Sequence, residues 1–70
     1  MRIPFNNLFE QQADGSTVVR LKIRISGITL NPGAVIPPGG IIGGIALSSY
    51  VERDFEVELE EDTYVVRGIY

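Results

Sequence analysis

Four serines, three tyrosines and a set of closely spaced carboxylates are the side chains of this chain with chemistry to offer. Ser16, Ser26, Ser48 and Ser49 would each need a general base to become nucleophiles, and the chain has no histidine and no cysteine to supply a base or a thiol. The same two absences rule out disulfides and ordinary zinc sites. Gly39-Gly40-Ile41-Ile42-Gly43-Gly44 is glycine-rich, but it lacks the Lys-Ser/Thr of a phosphate-binding loop and no helical pattern follows it. Acids cluster at Asp54/Glu56 and at Glu60/Glu61/Asp62, and Glu56, Glu58 and Glu60 alternate along one stretch. Alternate carboxylates on a flat strand do not converge into the oxygen cage that calcium requires. Acids at a turn are ordinarily solvated, and nothing marks a cleft that would perturb them. Tyr50, Tyr64 and Tyr70 offer a stacking surface or cap the edge of a core. We therefore expect no catalytic residue, no metal site and no cofactor, and rank an enzyme last among the readings.

The elements that would position these groups read as β-structure. Residues 1–12 form a turn-rich N-terminal arm in which Phe5, Leu8 and Phe9, at i, i+3 and i+4, share one face of a short helical turn. Two roles stay open for the arm: plugging the core of its own chain, or swapping onto a neighbour. Ala13-Asp14-Gly15-Ser16 is a turn signal. In residues 17–26, Val19, Leu21, Ile23 and Ile25 alternate with Arg20, Lys22 and Arg24, which predicts one strand with an apolar and a basic face. Residues 54–70 mirror it with opposite charge: Phe55, Val57 and Leu59 alternate with Glu56, Glu58 and Glu60, then a polar turn at Glu61-Asp62-Thr63 leads into "YVVRGIY". This predicts a C-terminal β-hairpin. Antiparallel pairing of Val19–Ile25 with Phe55–Leu59 would set basic against acidic side chains and fix the register, within one chain or between copies.

Residues 27–50 carry no charge and are rich in glycine and proline. Written in sixes they give LNPGAV, IPPGGI and IGGIAL: Leu30, Ile36 and Ile42 recur, as do Ala34, Gly40 and Ala46, while Val35, Ile41 and Leu47 close each unit. Gly27, Gly33 and Gly39 hold the intervening corners. A period of six fits neither a helix nor a simple alternating strand, but suits short extended pieces separated by bends. Residues 30–47 resemble the hexapeptide repeat of left-handed β-helices, in which an aliphatic residue points inward and a small residue follows four later. That resemblance implies one rung of a coil, which must be covered by flanking strands or by rungs of other copies. The family's frequent acyltransferase activity depends on a histidine, so it does not carry over. Plain bends between short core strands are the other reading of the same residues.

Composition bounds what remains. At 70 residues the chain is a single domain with a net charge of −3, which argues against a nucleic-acid partner. A domain of this size has only a few kcal/mol of net stability, about the margin that association commonly supplements. The N-terminal residues lack the apolar core of a secretory leader, and the absence of cysteine is compatible with any compartment. The uncharged run is long enough for a membrane helix, but three prolines and six glycines between Ile25 and Val51 oppose one. We expect an all-β single domain that acts as a non-enzymatic, self-associating structural subunit. Its expected interface is Val35, Ile36, Ile41, Ile42, Ile45 and Leu47, with Phe5 and Phe9 from the arm. The single rung prompts a homo-oligomer of three copies, with a dimer also open, as in a virion decoration protein or a surface array. The rivals are a ligand- or peptide-binding module presenting Tyr50, Tyr64 or the acidic strand, and a membrane-inserting segment at residues 33–47.

Overall fold

The computed structural model describes residues 1–70, and half of the chain is strand, joined mostly by tight turns. Ten strands follow in order: β1 (Arg2–Pro4), β2 (Phe9–Gln11), β3 (Thr17–Val19), β4 (Ile23–Ile25), β5 (Ile28–Leu30), β6 (Val35–Ile36), β7 (Ile41–Ile42), β8 (Ile45–Ala46), β9 (Asp54–Glu60) and β10 (Thr63–Ile69). One helical turn, α1 (Phe5–Leu8), joins β1 to β2, and a 3₁₀ turn spans Leu47–Tyr50. The strands form a five-stranded sheet ordered β1-β9-β10-β4-β5, a three-stranded sheet ordered β2-β3-β6, and the two-stranded ribbon β7-β8. The all-β single domain read from the sequence is the observed architecture.

The core lies between the sheets and centres on Phe5, Phe9 and Phe55, whose ring centroids are 4.9, 6.2 and 6.0 Å apart. Leu8, Val19, Ile23, Ile25, Ile36, Leu47 and Val57 complete it. The i, i+3, i+4 spacing of the arm thus does its work at home: Phe5, Leu8 and Phe9 are all fully enclosed by their own chain. At the Asp14 turn, Oδ1 accepts hydrogen bonds from the Ser16 amide at 2.9 Å and the Ser16 hydroxyl at 2.6 Å. Gly15 takes φ +91° there, and the chain reverses from β2 into β3.

Two sequence expectations are corrected. The alternating run 17–26 is not one strand but two, in different sheets. Val19 ends β3, and residues 20–22 leave the ladder, with the Arg20 amide donating to the Leu8 carbonyl at 2.9 Å. The chain re-enters the other sheet at Ile23. Alternation survives the break because Val19, Ile23 and Ile25 all face the same core, so the pattern cannot register the change of sheet. Nor does this segment pair with Phe55–Leu59. β10 lies between them, antiparallel to β9 and parallel to β4, with Val65 opposite both Glu58 and Arg24. The basic and acidic ladders share one face but sit two strand spacings apart, about 10 Å. Val65, flanked by those long side chains, is only 7% exposed; aliphatic stems of charged residues shield apolar surface in this way.

The six-residue period is a spacing of turns, not a coil. Ser26-Gly27, at φ +49° and +79°, closes the β4–β5 hairpin, and Gly43-Gly44, at +56° and +82°, closes β7–β8. Two consecutive positive φ values make a type I′ turn, which reverses the chain into an antiparallel pair. Pro32-Gly33 and Pro38-Gly39 form type II turns, with the Ala34 amide donating to Asn31 at 3.1 Å and the Gly40 amide to Pro37 at 2.9 Å. A β-helix stacks its strands in parallel; here β3–β6, β4–β5 and β7–β8 are all antiparallel, so no rung forms. The inward position of the repeat still holds. Ile36 is buried, and Leu30 and Ile42 pack against the core.

Candidate interaction surface

Short strands alternate their side chains across the sheet, and this sorts the expected interface residues. In β6, Ile36 turns in and Val35 turns out, 63% exposed; in β7, Ile42 turns in and Ile41 turns out, 65% exposed. Ile45 is half-buried against the core and Leu47 is fully enclosed. Phe5 and Phe9 have no surface to present. Of the eight expected residues, then, Val35 and Ile41 offer free apolar area, Ile42 and Ile45 offer part of theirs, and Ile36, Leu47, Phe5 and Phe9 offer none. Two further exposed aliphatics escape the sequence reading, Ile28 on β5 and Leu59 on β9. Leu59 continues the Phe55–Val57 alternation and so reads as a core residue, yet it lies beyond the reach of the opposing sheet.

Ile41 stands on a ribbon held in place by close backbone approach. A Cβ on Gly43 would lie 2.6 Å from the Ser26 Cβ, so the tips of the β4–β5 and β7–β8 hairpins touch.

The other face of the five-stranded sheet is charged. Arg67, the extra residue at a bulge in β10, reaches Glu60 at 2.7 Å and Glu58 at 3.7 Å. Lys22 lies 3.6 Å from Asp62, and Arg2 pairs with Asp54 at 2.7 Å. These exposed pairs contribute little to stability individually. At the sheet's far end, the Met1 amine contacts Glu56 Oε2 at 2.7 Å, the Tyr70 hydroxyl donates to Glu56 Oε1, and the Arg2 guanidinium stacks 4.0 Å above the Tyr70 ring. The Arg53 Nε–H donates to the Tyr70 backbone carbonyl.

This knot titrates at both ends of the pH scale. Hydrogen bonds from the Met1 amine and then from Tyr70 hold the Glu56 carboxyl below its ordinary 4.5, while the hydrogen bond to Glu56 and partial desolvation push the Tyr70 phenol above its ordinary 10.0. A carboxyl depressed in the fold adds stability that is present above 4.5 and lost as pH falls through the folded value. A phenol raised in the fold adds stability that is present below 10.0 and lost as pH rises through the folded value. Melting temperature followed by circular dichroism should therefore fall on both sides of a neutral plateau. Glu56→Gln should shrink the alkaline fall relative to the parent chain; an unchanged alkaline limb would show that the Tyr70–Glu56 contact does not persist in solution.

Ser16 is engaged with Asp14, Ser26 sits at a turn tip, and Ser48 and Ser49 occupy the 3₁₀ turn. No group of carboxylates is placed to hold a metal ion. The depressions in the surface are shallow; the most enclosed has a volume of about 310 Å³ and is lined by Lys22, Arg24, Glu60, Glu61, Asp62 and Thr63. No aromatic concavity is built from the tyrosines: Tyr50 and Tyr64 pack against the core and Tyr70 is tied to Glu56 and Arg2. Residues 33–47 are short strands and turns, and no helix is long and apolar enough to cross a membrane. Comparison with protein-family models, characterised proteins and solved structures gives no match.

Proposed function

We propose that the protein is a non-enzymatic structural subunit that associates with copies of itself through the outward aliphatics of β6 and β7. The observation that carries this reading is the exposure of Val35 and Ile41, each more than half open to water on an otherwise well-filled domain. Fully covering an aliphatic side chain is worth about 1.5–3 kcal/mol, so the part that remains exposed is worth about 1–2. Two residues from each of two copies give about 4–8 kcal/mol, against an association cost of about 4–15. A single pairwise contact is therefore weak, and repetition makes it strong. That balance suits a lattice or particle-coating subunit, held by many copies at once, better than an isolated tight dimer. The role in a virion coat or surface array rests on this multivalent logic and on small size; a threefold arrangement is one closed form it would take.

The test is mass across a concentration series. Light scattering or sedimentation should show mass rising with concentration, and Val35→Asp/Ile41→Asp should hold the chain at the mass of one copy with an unchanged melting temperature. The net of these figures is at most about 4 kcal/mol per contact, a dissociation constant near millimolar, so a parent chain whose mass does not rise as its concentration approaches millimolar would overturn the proposal.

A further inference from the structure

The long strand β9 is paired along its whole length on one side and along only part of it on the other. β10 covers residues 55–60. On the opposite side β1 covers Asp54–Glu56, and the Val57 amide donates to the Met1 carbonyl at 2.8 Å. No strand of residues 1–70 lies beyond that point. The ladder fixes what the uncovered part presents. Glu60 and Thr63 flank the two-residue turn of the hairpin, so they and the Glu58–Val65 pair exchange hydrogen bonds with each other. Leu59, between them, points its N–H and C=O the other way, to the same side as Val57, where no partner stands. Its side chain is 48% exposed.

An open strand edge is a template for another strand, and charge decides which. Four carboxylates (Glu58, Glu60, Glu61 and Asp62) gather at this end of the hairpin, where Glu58 and Glu60 share Arg67 and Lys22 reaches Asp62, so β9 keeps an acidic excess at its edge. A second copy pairing antiparallel about Leu59 would set Glu58 opposite the partner's Glu60 on both sides of the axis, and like charges directly opposite destabilise a sheet. The edge thus excludes its own kind. We infer that the free edge of β9 at Leu59 is a docking site for an extended basic segment of another protein, added as a sixth strand. Such a segment carries Lys or Arg opposite Glu58 and Glu60, with an apolar residue between them opposite Leu59. Backbone hydrogen bonds to Leu59 supply the attachment and the flanking carboxylates the selection. This site lies on a different strand from Val35 and Ile41 and does not depend on self-association.

The probe is a capped peptide alternating lysine and valine, titrated into the ¹⁵N-labelled chain. Binding should shift the amides of residues 57–60 and slow hydrogen exchange at the Leu59 amide, which in the free chain should exchange faster than those of Glu58 and Glu60. A glutamate–valine peptide should leave the spectrum unchanged. Glu58→Gln/Glu60→Gln should weaken binding about tenfold, the worth of two exposed cross-strand charge pairs. Leu59→Pro removes a donor that makes no bond within the chain, so it should keep the melting temperature and abolish binding at this edge. Oligolysine binding as well as the alternating peptide, without protection at Leu59, would reduce the site to general charge attraction and overturn the proposal. So would protection of the Leu59 amide that grows with concentration in the absence of peptide, which would make the occupant a second copy.

Discussion

Phe55→Ala should leave the chain unfolded at room temperature, with no cooperative melting transition and the far-ultraviolet signature of a disordered polypeptide. Phe55 is fully buried and is the one member of the aromatic trio carried by the central hairpin; Phe5 and Phe9 both come from the N-terminal arm. Its ring is therefore the core contact between the arm and β9, added to the β1–β9 ladder across a separation of about fifty residues. Truncating a buried phenylalanine costs about 3–5 kcal/mol, because the cavity left behind collapses only in part. A domain of this size has about 3–5 kcal/mol in all from a single core. The two figures meet, so the substitution consumes the whole margin. Phe55→Leu keeps most of the volume and should cost under about 1.5 kcal/mol, leaving a folded chain with a lower melting temperature. An alanine variant melting within a few degrees of the parent would show that the β1–β9 ladder and its ion pairs hold the arm without the ring.

The same long separation marks what sequence reading reached and what it did not. Features written locally were legible. Phe5, Leu8 and Phe9 signal their helical turn, Asp14-Gly15 its reversal, and the alternation from Phe55 with "YVVRGIY" a hairpin, whose turn is one residue tighter than read because Thr63 pairs with Glu60; each depends on neighbours within a few residues. Partner choice was not legible. Arg2–Pro4 contains a charge and a proline and shows no alternation, yet it forms the edge strand of the main sheet, since its register is set by β9 more than fifty residues away. The interposition of β10 between the two charged ladders is equally non-local. The hexad illustrates a subtler limit. Its corners, Gly27, Gly33 and Gly39, are legible in the spacing, and all three take positive φ. What the spacing could not state was the type of turn, and a pair of positive-φ residues at Ser26-Gly27 converts a would-be coil into hairpins. The expected interface divided for the same reason: Val35 and Ile36, or Ile41 and Ile42, are chemically alike, and only the strand's pleat decides which of each pair meets water.

The hairpin tips supply the second large effect. Gly43→Ala should destabilise the chain by about 2–5 kcal/mol, combining the cost of a positive φ for an L-residue, about 1–2, with the cost of forcing atoms into a filled space, about 1–3. At Gly43, φ is +56° and an added Cβ would sit 2.6 Å from the Ser26 Cβ and 3.0 Å from its Oγ, well inside van der Waals contact. Gly44 provides the control. It takes φ +82° in the same turn, but nothing lies within 4 Å of the position a Cβ would occupy. Gly44→Ala should therefore cost only the conformational part, about 1–2 kcal/mol, and the difference between the two variants measures the tip-to-tip contact. Removing the obstacle gives an independent reading. Ser26 itself holds φ +49°, so Ser26→Gly relieves backbone strain while deleting the atoms that the new methyl group would strike. In a double-mutant cycle, Gly43→Ala should recover about 1–3 kcal/mol when combined with Ser26→Gly. Equal losses for Gly43→Ala and Gly44→Ala, with no recovery in the cycle, would mean that the hairpins stand apart in solution. Because this contact fixes the ribbon that carries Ile41, a Gly43→Ala chain that still folds should also associate more weakly than the parent. Stability and assembly would then be tied to one close approach of two turns.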